Sequence, residues 1–302
     1  MVKEPLRFHT LDVFTHSQFA GKPLVVFENA EGLARGEMVA LAREFNLPAA
    51  FACASRDPVN SARIRVFTPQ GEERSFSAQA VIGVSVSLAR SRAAEILARR
   101  EVVVALEIAD EIFSCEVIKS KSGVCYAQFA LNRAARREGE APDFETLAAA
   151  LALAPEEIGF RAHAPRIYSA LSPFVFVPVG SRAALERANP SRALFERVRG
   201  SAAGLCLYTD ETIAPDSAIL ARLFGPGAIE DPASGAAAAA FAGAATEFER
   251  PSDGEHQIFI EQGHEIGRPS RLTLRMSVAA GALANIHLGG QAVEVACGEL
   301  TP

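Results

Sequence analysis

Residues 235–245 read GAAAAAFAGAA, and this run constrains the fold of the 302-residue chain more than any other stretch. A helix of such small side chains has almost no apolar surface of its own, so it persists only where other elements close around it. It therefore predicts a helix at the centre of a domain. Directly upstream, Asp231-Pro232 reads as a helix start, with Asp as N-cap and Pro at the first helical position. The exposed N–H groups of that start could hold a substrate carboxylate. At this length the run cannot span a bilayer.

A hydrophobic content of 49% supports a substantial core, in one large domain or two medium ones. Net charge of −6 leaves no basic footprint for nucleic acid, and no Lys/Arg cluster is interleaved with aromatics. The five cysteines (Cys53, Cys115, Cys125, Cys206, Cys297) are scattered without a CxxC pair, which indicates neither a disulfide framework nor a metal site and fits a reducing cytoplasm. No leader or membrane segment is read at the N-terminus. P-loop, GxGxxG and HExxH motifs are absent.

Apolar patterning predicts strands over 6–14, 24–27, 63–67, 102–108, 112–118 and 124–129, with helices over 36–45 and 78–89. The second half predicts helices over 144–153 and 155–157, strands over 174–178 and 204–208, and a strand or short helix over 217–223. The small-residue helix follows, then strands over 256–261, 272–278 and 292–296. The mixed order favours α+β over a doubly wound sheet. Phe67-Thr68-Pro69 echoes Phe224-Gly225-Pro226, each ahead of acidic residues and a small-residue helix. The echo fits two related domains, and it also fits chance.

Several motifs together resemble one family. DVFTHSQFAGKPLVVF, NLPAAF at 46–51, FTPQGEERSFSAQAVIG, EDPASGAAAAAF and QGHEIGRPS are similar to the corresponding stretches of the phenazine-biosynthesis (PhzF-like) isomerases. The resemblance runs from about residue 6 to 300. It implies a diaminopimelate epimerase-like α+β fold: two similar domains, each a curved, barrel-like mixed sheet around a central helix, with the active site in the cleft between them. Domains are drawn at 1–118 and 119–302, with the closing strand free to return to the first. The resemblance also implies a homodimer, no cofactor and a small carboxylic-acid ligand.

The same resemblance assigns site residues, and several have changed. Ala49 stands where the family has its proton-shuttling glutamate, in a stretch read as a loop; Pro48 replaces the preceding serine. Gln79 matches the family histidine when one residue is inserted near Glu72-Glu73, and without the insertion the histidine column falls on Ala78. Ala236 replaces a serine. Asp231 is implied in the active site as the surviving acid–base candidate, with Glu230 beside it. Ser234 and Gly235 border an anion pocket, and Arg268 and Ser270 are implied in substrate binding, Arg268 being equally readable as an ion-pair partner. Glu72 and Glu73 read first as solvated turn carboxylates. The six histidines read as surface or strand residues without metal-ligand spacing, His264 being the one nearest a motif. The two opposed cysteines of related racemases have no counterpart at Gln79 and Asp231. Two functions follow: an isomerase- or epimerase-type enzyme using Asp231 for proton transfer, or a member that binds a small molecule or a protein without catalysis.

Overall fold

The computed structural model describes residues 5–300. The chain divides into two compact units, Met1–Ala130 with Gly289–Pro302, and Leu131–Leu288. The first contains β1 (Leu6–Val13), β2 (Lys22–Phe27), α1 (Arg35–Phe45), β3 (Ala49–Cys53), β4 (Ala62–Phe67), β5 (Glu73–Arg74), α2 (Ala78–Arg92), α3 (Ala94–Leu97), β6 (Val102–Ile108), β7 (Glu111–Lys119) and β8 (Cys125–Leu131). The second holds β9 (Arg136–Glu140), α4 (Phe144–Leu151), β10 (Arg166–Ser169), β11 (Pro173–Pro178), α5 (Arg182–Arg187), α6 (Arg192–Arg199), β12 (Gly204–Thr209) and β13 (Ile219–Gly225). It continues through β14 (Ile229–Asp231), α7 (Gly235–Glu249), β15 (Gly254–Gln262), β16 (Ser270–Ala279) and the start of β17 (Ala282–Leu300). The division falls after Ala130, not after residue 118, because β8 is the antiparallel partner of β7 (Cys115↔Phe129).

In the first unit β1, β2, β3, β4, β6, β7, β8 and β17 pair in that order, and β17 closes the ring on β1 through Leu6↔Leu300 to Val13↔Ala292. The strands bury alternate residues: in β7 Phe113, Cys115 and Val117 point in while Ser114 and Glu116 point out. Inside lies α2, buried at every position from Ala78 to Ala89. Val81, Ile82, Val84, Val86 and Leu88 each contribute about 1.5–3 kcal/mol there by leaving water. α1 covers part of the outer face, setting Met38 and Ala42 on Phe27, Phe51 and Phe67.

The second unit repeats the recipe. Pairings run antiparallel, parallel, antiparallel, parallel, antiparallel from β1 to β7 by way of β2, β3, β4 and β6, and again from β10 to β16 by way of β11, β12, β13 and β15. Its central helix is α7, held by Tyr168, Phe176 and Tyr208. α4, α5 and α6 pack outside on β11 and β12 through Leu147, Leu151, Leu185 and Phe195.

The local expectations hold for most strands and both central helices. Of the two readings for 217–223 the strand holds, as β13 from Ile219. Two expectations change. The NLPAAF stretch is no loop, since Ala49 begins β3 and Pro48 accepts the Val25 N–H at 3.0 Å. The N-cap of α7 is Ser234, whose hydroxyl accepts the Ala237 N–H, while Asp231 ends β14.

Candidate active site

Asp231 is half-buried at the end of β14. Its Oδ1 accepts the Ala233 N–H at 3.1 Å, a side-chain turn that bends the chain into α7. Ser234 satisfies Ala237, and Ala238 bonds the Ser234 carbonyl, so among the described residues the N–H groups of Gly235 and Ala236 have no acceptor. These two donors lie at the positive end of a helix of fifteen residues, in the turn that follows Asp231.

The loop between β15 and β16 is fastened to this turn. Gln262 Nε2 donates to the Asp231 carbonyl at 2.6 Å. Gly263 has φ +80, and a Cβ there would stand 2.5 Å from the Arg268 carbonyl and 2.7 Å from that of Pro232. The Arg268 N–H returns to Gly263 at 2.9 Å, and the buried Ser270 hydroxyl donates to the Arg268 carbonyl at 3.0 Å. The second unit thus gathers Asp231, Ser234, Gly235, Ala236 and the loop bearing Arg268 and Ser270. The Ser270 hydroxyl serves to shape that loop.

Glu230 points away from Asp231, as strand alternation requires. It takes two bonds from Arg222, at 3.1 and 2.7 Å, and the pair is nearly sealed. Arg222 Nη1 also donates to the carbonyls of Leu185, Glu186 and Ala188 at the end of α5. Glu265 approaches the same guanidinium at 3.8 Å without hydrogen-bonding it, and burial pushes its carboxyl above the ordinary glutamate range.

The first unit contributes differently. Ser77 caps α2 as Ser234 caps α7. Gln79 follows, but its amide donates to the carbonyls of Lys22 (3.2 Å) and Pro23 (2.7 Å), tying α2 to β2. Ala49 is fully buried in the cluster under α1 with Val25, Met38 and Phe67. Glu73 is engaged by Arg65 at 2.7 and 2.8 Å, which holds its carboxyl below the usual range; Glu72 pairs with Arg74. His163, read from sequence as a surface or strand residue, is buried between Tyr208 and Glu249, at 2.9 and 2.7 Å. Its neighbours in sequence carry no acid, so nothing local signals that arrangement.

Residues 11–298 match the phenazine biosynthesis-like protein family. The chain belongs to this family. An isomerase of Mesorhizobium japonicum, itself uncharacterized, is 37% identical over 96% of both chains. The trans-2,3-dihydro-3-hydroxyanthranilate isomerase of Pseudomonas aeruginosa is 26% identical, covering 97% of this chain and 98% of its own. In fold, a PhzF-family protein from Bacillus anthracis superposes with a TM-score of 0.86 at 23% identity, over 99% of each chain. The α+β architecture of curved sheets around central helices is thus that of the phenazine biosynthesis-like family.

The pair of arginine–glutamate clamps was missed, although a sequence signal existed. Arg65-x-Phe67-x-Pro69-x3-Glu73-x3-Ser77 recurs as Arg222-x-Phe224-x-Pro226-x3-Glu230-x3-Ser234. Both arginines also stack on their phenylalanines, at 5.1 and 4.8 Å. In this register Arg74 takes the place of Asp231: Val66 pairs with Arg74 as Leu223 pairs with Asp231.

Proposed function

We propose that the chain is an isomerase- or epimerase-type enzyme that moves a proton within a small carboxylic acid, without a cofactor, through Asp231. The observation carrying this reading is the placement of Asp231 next to the acceptor-free N–H groups of Gly235 and Ala236. A substrate carboxylate received by those groups, with Arg268 assisting, sets a C–H bond near the Asp231 oxygens. Asp231 takes that proton, the bonding electrons shift into the adjacent conjugated system, and the same carboxyl returns the proton to a second carbon. Relatives named as isomerases make this reaction class the natural one. The homodimer and cytoplasmic location belong to the same reading; among the described residues no helix is long and apolar enough to cross a membrane.

Solvent deuterium incorporation into cyclohexadienyl, amino and hydroxy acids tests it. Exchange is expected with one of these classes, and Asp231→Asn is expected to slow it by about 10²–10⁴-fold. Exchange unchanged in the variant would refute the role of Asp231.

A second reading rests on the first unit. Ala49 carries no proton, and the Gln79 amide is already committed to two backbone carbonyls. A protein that binds an acid and leaves it unchanged has the same donors at Gly235 and Ala236. Thermal stabilisation by an acid that shows no exchange would favour this second reading.

A further inference from the structure

Within the first unit a cavity of about 320 Å³ is lined by Arg56, Arg63, Arg65 and Arg74, with Glu73, Ser75 and Ala109. Four arginines around one cavity are unexpected in a chain of net charge −6, though Arg56 Nη2 already donates to the Ala109 carbonyl at 2.9 Å. The Arg65–Glu73 clamp is consumed internally. Asp110, on Arg56 at 3.6 Å, and Glu72, on Arg74 at 2.9 Å, are 97% and 65% exposed. Such exposed pairs yield at little cost. Arg35 adds a further positive group beside Glu73. Arg63 is the residue left over: its Nε is buried without a hydrogen-bond partner. Opposite it in the β3–β4 register stands Cys53, whose thiol is pushed up by burial and drawn partly back down by the neighbouring Arg63 guanidinium, so Arg63 is engaged there but not through its Nε.

The second unit shows what this place demands. There the equivalent arginine, Arg222, gives its free nitrogen to three carbonyl oxygens at the end of α5, and the clamp is sealed to 9% and 8% exposure. The first unit has α1 in the corresponding connection, but among the described residues no α1 carbonyl accepts a bond from Arg65. Its clamp stays open, at 28% and 35%, beside the cavity. Arg63, where the second unit has Leu220, then adds a buried donor with nothing to receive it.

We infer that this cavity is an anion site that takes a phosphate group, whose oxygens occupy the place filled by the α5 carbonyls in the second unit. A tetrahedral dianion supplies several acceptors to converging guanidinium forks, which planar bidentate carboxylate pairs at this site cannot all satisfy. The cavity exceeds what phosphate alone fills, so both inorganic phosphate and a phosphate monoester are candidates by the same chemistry. The inference does not rest on the reaction proposed for Asp231.

The test is titration calorimetry of the full chain with inorganic phosphate and with phenyl phosphate, at ionic strength held constant with sodium chloride. Saturable binding of either is expected; tighter binding of phenyl phosphate assigns the site to phosphorylated organic molecules, and equal binding to phosphate itself. Arg63→Gln and, separately, Arg74→Gln are each expected to weaken binding about tenfold or more. Absence of saturable binding by both probes overturns the inference, as does binding that survives both arginine variants.

Discussion

One residue pattern, Arg-x-Phe-x-Pro-x3-Glu-x3-Ser, occurs in both halves with opposite consequences for water access. The Arg222–Glu230 pair is buried, so Arg222→Ala strands a carboxylate and three carbonyls, and a loss of about 3–5 kcal/mol is expected in urea unfolding. The solvated Arg65–Glu73 pair predicts about 1 kcal/mol or less for Arg65→Ala. Glu265 behaves in the reverse sense. Its folded pKa lies above the unfolded value of about 4.3, so its favourable contribution is complete below that pH and is lost as pH rises through the folded pKa. Glu265→Gln is therefore expected to raise the unfolding midpoint at pH 7, with the gain disappearing near pH 4. An equal gain at both pH values would refute the titration account. These pairings are the part of the site that sequence reading left out, because a charged residue on a strand announces neither its partner nor its burial. The start of α7 was legible, since helix-start chemistry is local, although the cap was read at Asp231 and stands at Ser234.

At the scale of elements, the two central helices were legible for the same reason: small and apolar residues at every position leave no face for water. Their strand partners followed wherever alternation was clear, as in β7. What escaped were β3 and the short pieces β5, α3, β9, β10, β14, α5 and α6. NLPAAF carries no alternation because both of its faces are covered, by α1 and by the barrel interior, and a proline at its head resembles a turn. The close fit of α7 supplies its own prediction. A Cβ on Gly243 would lie 2.8 Å from the ring of Tyr168, which is fully buried and bonded through its hydroxyl to Glu247. Gly243→Ala gains up to about 1 kcal/mol in helix propensity and meets a ring that cannot retreat, an overpacking cost of about 1–3 kcal/mol. Net destabilisation is expected, and Gly243→Ala with Tyr168→Leu should recover part of it.

For the whole molecule the decisive segment is the last one. β17 leaves the second unit at Leu288, and its remainder becomes the strand that closes the first unit on β1 and β8. The first ring is therefore built from chain ends nearly three hundred residues apart, a pairing no local pattern specifies, and its formation must wait for the entire chain. Removing residues from 289 onward unpairs the outer edge of β1 along Leu6–Val13 and opens the barrel around α2. Edges of that length, with the apolar side of α2 exposed behind them, do not persist in water. Hydrogen exchange on the truncated chain is expected to show lost protection in β1, β2 and α2. The pairings of β10 through β13 use no residue beyond 225, and they are expected to retain protection. Protection surviving in α2 would mean that the ring does not need its closing strand, and the dependence of the first unit on the chain end would have to be abandoned.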